Sequence, residues 1–142
     1  MALRGTSLIV ASVIVISSLC LSQQTTVEKV PIRHTSPGSA KEMYTAYCAA
    51  CHGKDGKGDG PAASALKVAP PDLTTLAKRN NGVFPRDHVY GTITGQVPIA
   101  AHGSKDMPVW GTLFRSIDSA DSFTMMRLKN LTDYIESLQA KK

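Results

Sequence analysis

The sequence is poor in cysteine and in aromatic side chains. Its 142 residues include three cysteines and one tryptophan, and only 6% are aromatic. Three cysteines cannot form the disulfide framework of a small secreted scaffold. So few aromatic residues also give a domain of about 100 residues only a modest core. A large bound cofactor would therefore help the chain to close around a common centre.

A strong charge of one sign is also missing. The 16 Lys and Arg against 11 Asp and Glu leave a formal net charge of +5. One of these positive charges, Arg4, lies in the N-terminal segment, and the others are spread without a basic stripe. This distribution disfavours nucleic-acid binding. It leaves only a weak preference for acidic protein partners.

Residues 1–22 differ from the rest of the chain. "MALR" carries a positive charge, the uncharged run "SLIVASVIVISSLCL" follows, and the sequence then turns polar. This layout is typical of a secretory signal peptide, and the run is shorter than the roughly 20 apolar residues of a membrane-spanning helix. We therefore expect a periplasmic or other extracytoplasmic protein. The alternative is an uncleaved N-terminal anchor that contacts the membrane.

The remaining chain predicts a linker followed by one helical domain. Residues 23–38 are polar and contain two prolines, which favours a flexible linker, and the domain then covers 39–142. Apolar spacing and capping residues predict four helices, over 40–51, 73–80, 85–94 and 119–139. No strand alternation is visible, so the fold class is all-α with long loops. Such loops are unusual in so small a domain unless they wrap a large apolar ligand.

The apolar residues of the predicted C-terminal helix follow a helical period, which indicates one buried face. They are Phe123, Met126, Leu128, Leu131, Tyr134, Ile135 and Leu138.

The segment "CAACH", Cys48 to His52, allows three interpretations. A zinc knuckle would need a second pair of Cys or His ligands, and none is present. A redox dithiol of the thioredoxin type would begin a helix within a βαβ pattern, whereas here the helix ends at the cysteines. The third interpretation is the C-x-x-C-H signature of c-type haem attachment. In that signature Cys48 and Cys51 each bind one vinyl group, and His52 lies under the iron.

The glycine-rich run "DGKGDG" that follows needs its own interpretation. It partly matches a calcium-binding loop, but Lys57 occupies the third position and Leu66 the twelfth, where the loop needs oxygen ligands. No Lys-Ser or Lys-Thr follows the glycines, as a phosphate-binding loop would require. We predict a tight surface bend beside the haem edge.

A haem held by His52 also needs a group on its distal side, and that group separates carriers from catalysts. Met107 is the favoured ligand, because it lies in an irregular loop about 55 residues beyond the cysteine motif and Pro108 stiffens the backbone beside it. His102 and the absence of any protein ligand are the alternatives. The other side chains considered are His34, His88, Met43, Met125 and Met126.

Together, "YCAACHGKDGKGDGPAASALKVAPPDLT" and "AHGSKDMPVWG" closely resemble the small monohaem class I c-type cytochromes of bacteria. The resemblance covers about residues 39–139. It implies a small cytochrome c fold, with three to five helices wrapped around one covalently bound haem c. It also implies that Cys48 and Cys51 attach the haem, with His52 as the proximal and Met107 as the distal iron ligand.

The same resemblance implies three further contacts. The carbonyl of Pro70 or Pro71 would accept the N–H of the proximal histidine, which would orient its imidazole. Trp110 would pack on the haem, donate to a propionate or lie in the core. The N- and C-terminal helices would cross through residues drawn from Tyr44, Tyr47, Leu131 and Tyr134.

The implied function is electron transport, as in respiratory chains, by an exported carrier that is not itself an enzyme. Its partners would be redox proteins, which Lys54, Lys57 and Lys105 near the haem edge could attract. Two alternatives belong to other classes. One is a haem subunit of a larger membrane oxidoreductase, and the other is a haem enzyme or gas sensor with an open distal site.

Overall fold

The structure is a computed structural model that describes residues 32–97, 107–118 and 120–140. The chain divides into two units, Met1–Val30 and Pro31–Lys142. The predicted signal peptide or anchor over 1–22 and the first part of the predicted linker, 23–31, lie outside the described residues. The description below therefore concerns the second unit alone.

The described residues form helices and loops, and they contain no strand. The predicted all-α fold is confirmed. None of the helices in these ranges is long and apolar enough to cross a membrane. The helices are α1 (Ala40–Tyr47), α2 (Ala49–His52), α3 (Leu76–Arg79), α4 (Arg86–Thr94), α5 (Trp110–Ile117) and α6 (Asp121–Ser137), with single 3-10 turns at Ala63–Ala65 and Leu73–Thr75.

The helices differ from the sequence prediction at Cys48 and at α5. The predicted helix over 40–51 is interrupted at Cys48, where the backbone (φ −111°) departs from regular helical values and a second short helix starts. Helix α5 was not predicted, because glycine and proline dominate the segment just before it. The predicted helix over 73–80 consists of the 3-10 turn Leu73–Thr75 followed by α3. It starts where predicted, since the Asp72 side chain accepts a hydrogen bond from the Thr74 N–H and caps the turn.

The core forms where α1 crosses α6. Met43 and Tyr44 of α1 and Leu131 of α6 are completely buried. The rings of Tyr44 and Tyr134 lie 5.1 Å apart at a tilt of 46°, so the expected crossing of the first and last helices is present. Helices α4 and α5 also pack against α6, so this long helix contacts α1, α4 and α5.

The buried face of α6 differs from the one that its apolar period predicts. Its first half buries Thr124 and Arg127, while Phe123 and Met126 are 44% and 40% exposed. The apolar residues face inward only from Leu128 onward. The cause is a polar contact of Arg127, described below, which takes the inward position that an apolar side chain would otherwise fill.

The segment 32–38, called the N-terminal strap here, is held against the helices. Thr35 is buried and bonded to side chains of α1 and α6, and the carbonyl of Pro37 accepts a hydrogen bond from Asn130 of α6. These residues belong to the linker predicted over 23–38. Their polar partners lie on α1 and α6, contacts that the composition of the segment does not indicate.

Candidate haem-binding site

The cysteine motif lies on α2, which turns away from α1 at Cys48. The backbone N–H of Cys48 still donates to the Tyr44 carbonyl, which continues α1, while the Cys48 carbonyl accepts from the N–H of His52 at 2.9 Å. The result is a single helical turn that carries Cys48, Cys51 and His52 along the edge of one cavity. Because the motif spans one helical turn, all three of its side chains line the same cavity.

The segment 53–60, called the glycine bend here, folds back over the end of α2. The N–H groups of Gly58 and Gly60 donate to the carbonyls of His52 and Cys51, at 2.9 and 3.1 Å. These bonds satisfy carbonyls at the helix end, which otherwise have no partner within the helix. The prediction of a tight bend at this place is therefore confirmed.

Two positions in the bend accept only glycine. Gly58 has a φ of +80°, and a Cβ there would collide with the Pro70 carbonyl oxygen. At Gly60 a Cβ would collide with the Ala50 carbonyl and lie 2.6 Å from the carbonyl oxygen of Ala49. Close backbone packing therefore accounts for these two glycines.

The bend also holds the proline segment. The N–H of Leu73 donates to the Gly56 carbonyl at 2.7 Å. Through this bond, Pro70 and Pro71 line the same cavity as His52. Both prolines named from the sequence as partners of the proximal histidine are therefore at the site.

The cavity draws its lining from the whole described domain, and each of the six helices contributes to its wall. Apart from the cysteine motif, the wall is mainly apolar. Its aliphatic part includes Leu66, Val68, Leu76, Val89, Ile93 and Ile135.

Met107 reaches this cavity from another part of the chain. It lines the wall together with the neighbouring Pro108, and it packs against the buried core. The four residues predicted from the sequence to hold the haem, Cys48, Cys51, His52 and Met107, are therefore brought to one cavity.

The other distal candidates are distributed differently. His88 of α4 also lines the cavity, although its side chain is exposed. Met43 is completely buried in the core and is not part of the cavity wall. Met125 is 64% exposed, and Met126, which the apolar period placed on the buried face of the helix, is 40% exposed. His102 lies outside the described residues.

The low polarity of the site shows in two pKa values. Burial, and next the neighbouring Cys51, raise the pKa of the Cys48 thiol to about 12. Burial and the nearby Cys48 also raise the pKa of Tyr44 well above its usual value. Tyr44 is thus a neutral hydroxyl, which donates to the Gly53 carbonyl at 2.9 Å and ties the glycine bend to α1.

Aromatic rings form one end of the cavity. Tyr47 and Trp110 both line it, with their ring centroids 5.2 Å apart. Phe114 packs behind them, at 5.4 Å from Tyr47 and 5.6 Å from Trp110. Trp110 therefore belongs to the site wall and to the core at once.

Sequence reasoning named Tyr47 and Trp110 but not Phe114 or the polar residues behind the rings. Phe114 lies on the unpredicted helix α5, so its apolar spacing with Trp110, at i and i+4, is the signal that could have found it.

The comparisons with known proteins agree with this geometry. The family model described as "Cytochrome c" matches residues 39–139, which is most of the chain. No curated protein and no solved structure gives a significant match. The matched region begins one residue before α1 and ends just beyond α6, so it includes both cysteines, the cavity and the helix crossing. The chain belongs to the cytochrome c family, a class I c-type cytochrome family whose members bind haem c covalently and transfer electrons through its iron.

Proposed function

We propose that this protein is an exported carrier of single electrons, whose haem c is held by Cys48, Cys51, His52 and Met107. The carrying observation is that a thiol pair, an imidazole and a thioether from two separate parts of the sequence line one apolar cavity. A mainly apolar wall with a few metal-binding or thiol side chains fits a large, flat, mostly apolar cofactor. Bound there, the haem iron would supply a one-electron couple between its ferrous and ferric states.

The protein's own residues would divide the work. Cys48 and Cys51 would fix the cofactor through thioether bonds, so that it does not dissociate between encounters with partners. His52 would bind the iron from the α2 side, and Met107 would fill the opposite position and keep water and oxygen from it. With an imidazole and a thioether both available to the iron, the site would suit electron transfer and not substrate activation.

Replacing Met107 tests the ligation. The ferric wild type should show the weak long-wavelength absorption band of a thioether–iron bond, and Met107→Ala should lose it while keeping the covalently attached haem. Met125→Ala is the matched control, because that methionine is 64% exposed and outside the cavity wall. A wild type that lacks the band and binds carbon monoxide rapidly would contradict the carrier proposal and favour a sensor or enzyme.

Export is the second part of the proposal, and the layout of residues 1–22 supports it. Mass spectrometry of the protein from its native cells should show whether this segment is removed. Cleavage near residue 22 indicates a free extracytoplasmic carrier. A retained segment would instead indicate an anchored protein or a subunit of a membrane complex.

Redox proteins are the proposed partners, and the charges on the glycine bend bear on how strongly they would be attracted. Lys54 and Lys57 are exposed on the glycine bend, but Asp55 and Asp59 are exposed on the same bend. These charges offset one another, so the bend gives little long-range attraction. Lys105 lies outside the described residues. We expect transfer rates to a partner to depend only weakly on ionic strength, which stopped-flow kinetics across salt concentrations would measure.

A further inference from the structure

Arg127 is a charged residue in the interior of the domain. It lies on α6 and is 1% exposed. Its guanidinium donates from Nε to Asp118 Oδ2 at 2.8 Å, from Nη1 to Thr35 Oγ1 at 2.9 Å and from Nη2 to the Thr35 carbonyl at 2.7 Å. It also lies 5.9 Å from the centre of the Phe114 ring. A buried charge is costly unless it is paired and hydrogen-bonded in this way, so these contacts determine what the arginine does.

The contact with Thr35 continues to the cavity wall. The Tyr47 hydroxyl donates to the Arg33 carbonyl at 2.6 Å, and it lies 2.8 Å from Thr35 Oγ1. Because the single hydroxyl hydrogen of Tyr47 is used toward Arg33, Tyr47 accepts the hydrogen of Thr35. The Thr35 hydroxyl in turn accepts from Arg127. The donors therefore run in one direction, from Arg127 through Thr35 and Tyr47 to the strap backbone.

The chain of hydroxyls ends on a residue that lines the cavity. Tyr47 forms the aromatic end of the wall with Trp110, and Phe114 lies behind both rings. Arg127 thus contacts this wall at two places: it bonds the Tyr47 hydroxyl through Thr35, and it covers the Phe114 face. None of these contacts involves a group assigned to hold the haem.

We propose that Arg127 is a positioning residue that keeps the Tyr47–Trp110 wall closed against water and thereby raises the reduction potential of the haem. The potential of a buried haem depends on solvent access, because water stabilises the extra charge of the ferric state. Fixing the Tyr47 ring by its hydroxyl limits that access. This inference rests on the proposed function, since it requires the haem to occupy the described cavity.

Thr35→Val is the sharpest test. It removes the hydroxyl that joins Arg127 to Tyr47, but it keeps the bonds of Arg127 to Asp118 and to the residue 35 carbonyl. A redox titration of the haem-loaded protein should give a midpoint potential below that of wild type. Tyr47→Phe should lower it in the same direction. If both changes break one chain, the double variant should shift the potential by no more than the larger single shift, and not by their sum.

Thr124→Val is the matched control. Thr124 is also a buried threonine, on α6, and its hydroxyl has no hydrogen-bond partner among the described residues. This variant should leave the potential unchanged. An unchanged potential in Thr35→Val, an equal shift in Thr124→Val, or additive shifts with Tyr47→Phe would each overturn the proposal.

A second variant covers the case in which Thr35→Val does not fold. Arg127→Lys keeps the charge but cannot reach Asp118 and both Thr35 oxygens at once, because a lysine has one nitrogen where arginine has a fork. Its potential should also fall, and an unchanged value would contradict the proposal. If wild type lacks covalently attached haem or the thioether band, the proposed function fails and this inference fails with it. If wild type shows both and no variant shifts the potential, only this inference fails.

Discussion

The cavity has two walls that are built by different means. One, called the backbone wall here, comprises α2 and the segment 70–73, which the glycine bend joins from behind through backbone hydrogen bonds. The other, the side-chain wall, comprises the rings of Tyr47 and Trp110, with Phe114 packed behind them. It is fixed from behind by Arg127, whose partner Thr35 is 92 positions away in the sequence. The comparison shows that covalent attachment needs a local motif, whereas closing the cavity needs contacts between distant parts of the chain.

The largest expected effect comes from breaking the backbone wall. Gly60→Ala places a Cβ against the carbonyls of Ala49 and Ala50, neither of which can move without disturbing α2. We expect a loss of about 3 kcal/mol in the free energy of unfolding. Denaturant titration measures this loss. Gly38→Ala is the control, since its Cβ would meet only the Ser36 hydroxyl at 3.8 Å, and it should change stability by less than about 0.5 kcal/mol. Equal effects would show that the bend tolerates a side chain.

The next effect comes from the support of the side-chain wall. Asp118→Asn keeps an oxygen for Arg127 but removes the charge that balances a guanidinium only 2% exposed. We expect a loss of about 1–2 kcal/mol, because an uncompensated buried charge is costly. Asp133→Asn breaks an ion pair with Arg86 at the surface, where Asp133 is 38% exposed, and should cost less than about 1 kcal/mol. Thermal and urea unfolding of both variants would measure the two losses in free energy of unfolding. A larger loss for Asp133→Asn than for Asp118→Asn would contradict this order.

A smaller effect depends on pH and concerns the end of the backbone wall. The hydrogen bond from the Thr74 hydroxyl, more than any other cause, lowers the pKa of Asp72 below its usual value. A lowered pKa in the folded state means that the ionised group adds stability above the unfolded value of about 3.9, and that this is lost as the pH falls through the folded pKa. Asp72→Ala should therefore cost about 1 kcal/mol at neutral pH.

That cost should shrink as the pH falls below about 3.9 and then through the lowered pKa of the folded state, where Asp72 of wild type itself becomes protonated. Urea titrations of both proteins at neutral pH and over a series of acid pH values give the comparison. A cost that stays constant over this range would mean that capping does not depend on the charge.

The smallest effect concerns a face that neither wall uses. Met125 is 64% exposed on α6, so Met125→Gln should change the free energy of unfolding by less than about 0.5 kcal/mol. Leu131→Ala on the buried face of the same helix should cost about 3 kcal/mol. The pair can be measured in one set of denaturant titrations. A large loss at Met125 would mean that this face packs against something in the folded protein.

The backbone wall could be predicted from the sequence because its chemistry is local. The C-x-x-C-H spacing, the glycines and the Asp72 cap all act on neighbours within a few residues. The tight bend and the cap are present as expected, and the motif lies at the edge of the cavity. The structure also brings the predicted haem residues to one cavity, including the distant Met107, whose place in the sequence was indicated by the adjacent proline.

The side-chain wall could not be predicted in the same way. Hydrophobic spacing placed Met126 in the core of α6, whereas Arg127 takes the inward position at that turn. A buried arginine has no signature in one sequence, since its burial depends on partners such as Thr35 that only the folded chain brings near. The polar composition of the strap likewise indicates a linker, because the partners of Thr35 and Pro37 lie on α6, far away in the sequence.

The attachment of the strap also has a mechanical consequence. A pull on the strap would load two helices at once. Arg33 and Thr35 bond to the Tyr47 hydroxyl of α1, and Thr35 also accepts two hydrogen bonds from Arg127 of α6. Tension on this segment would therefore be shared between α1 and α6, and part of it would reach the residue next to Cys48.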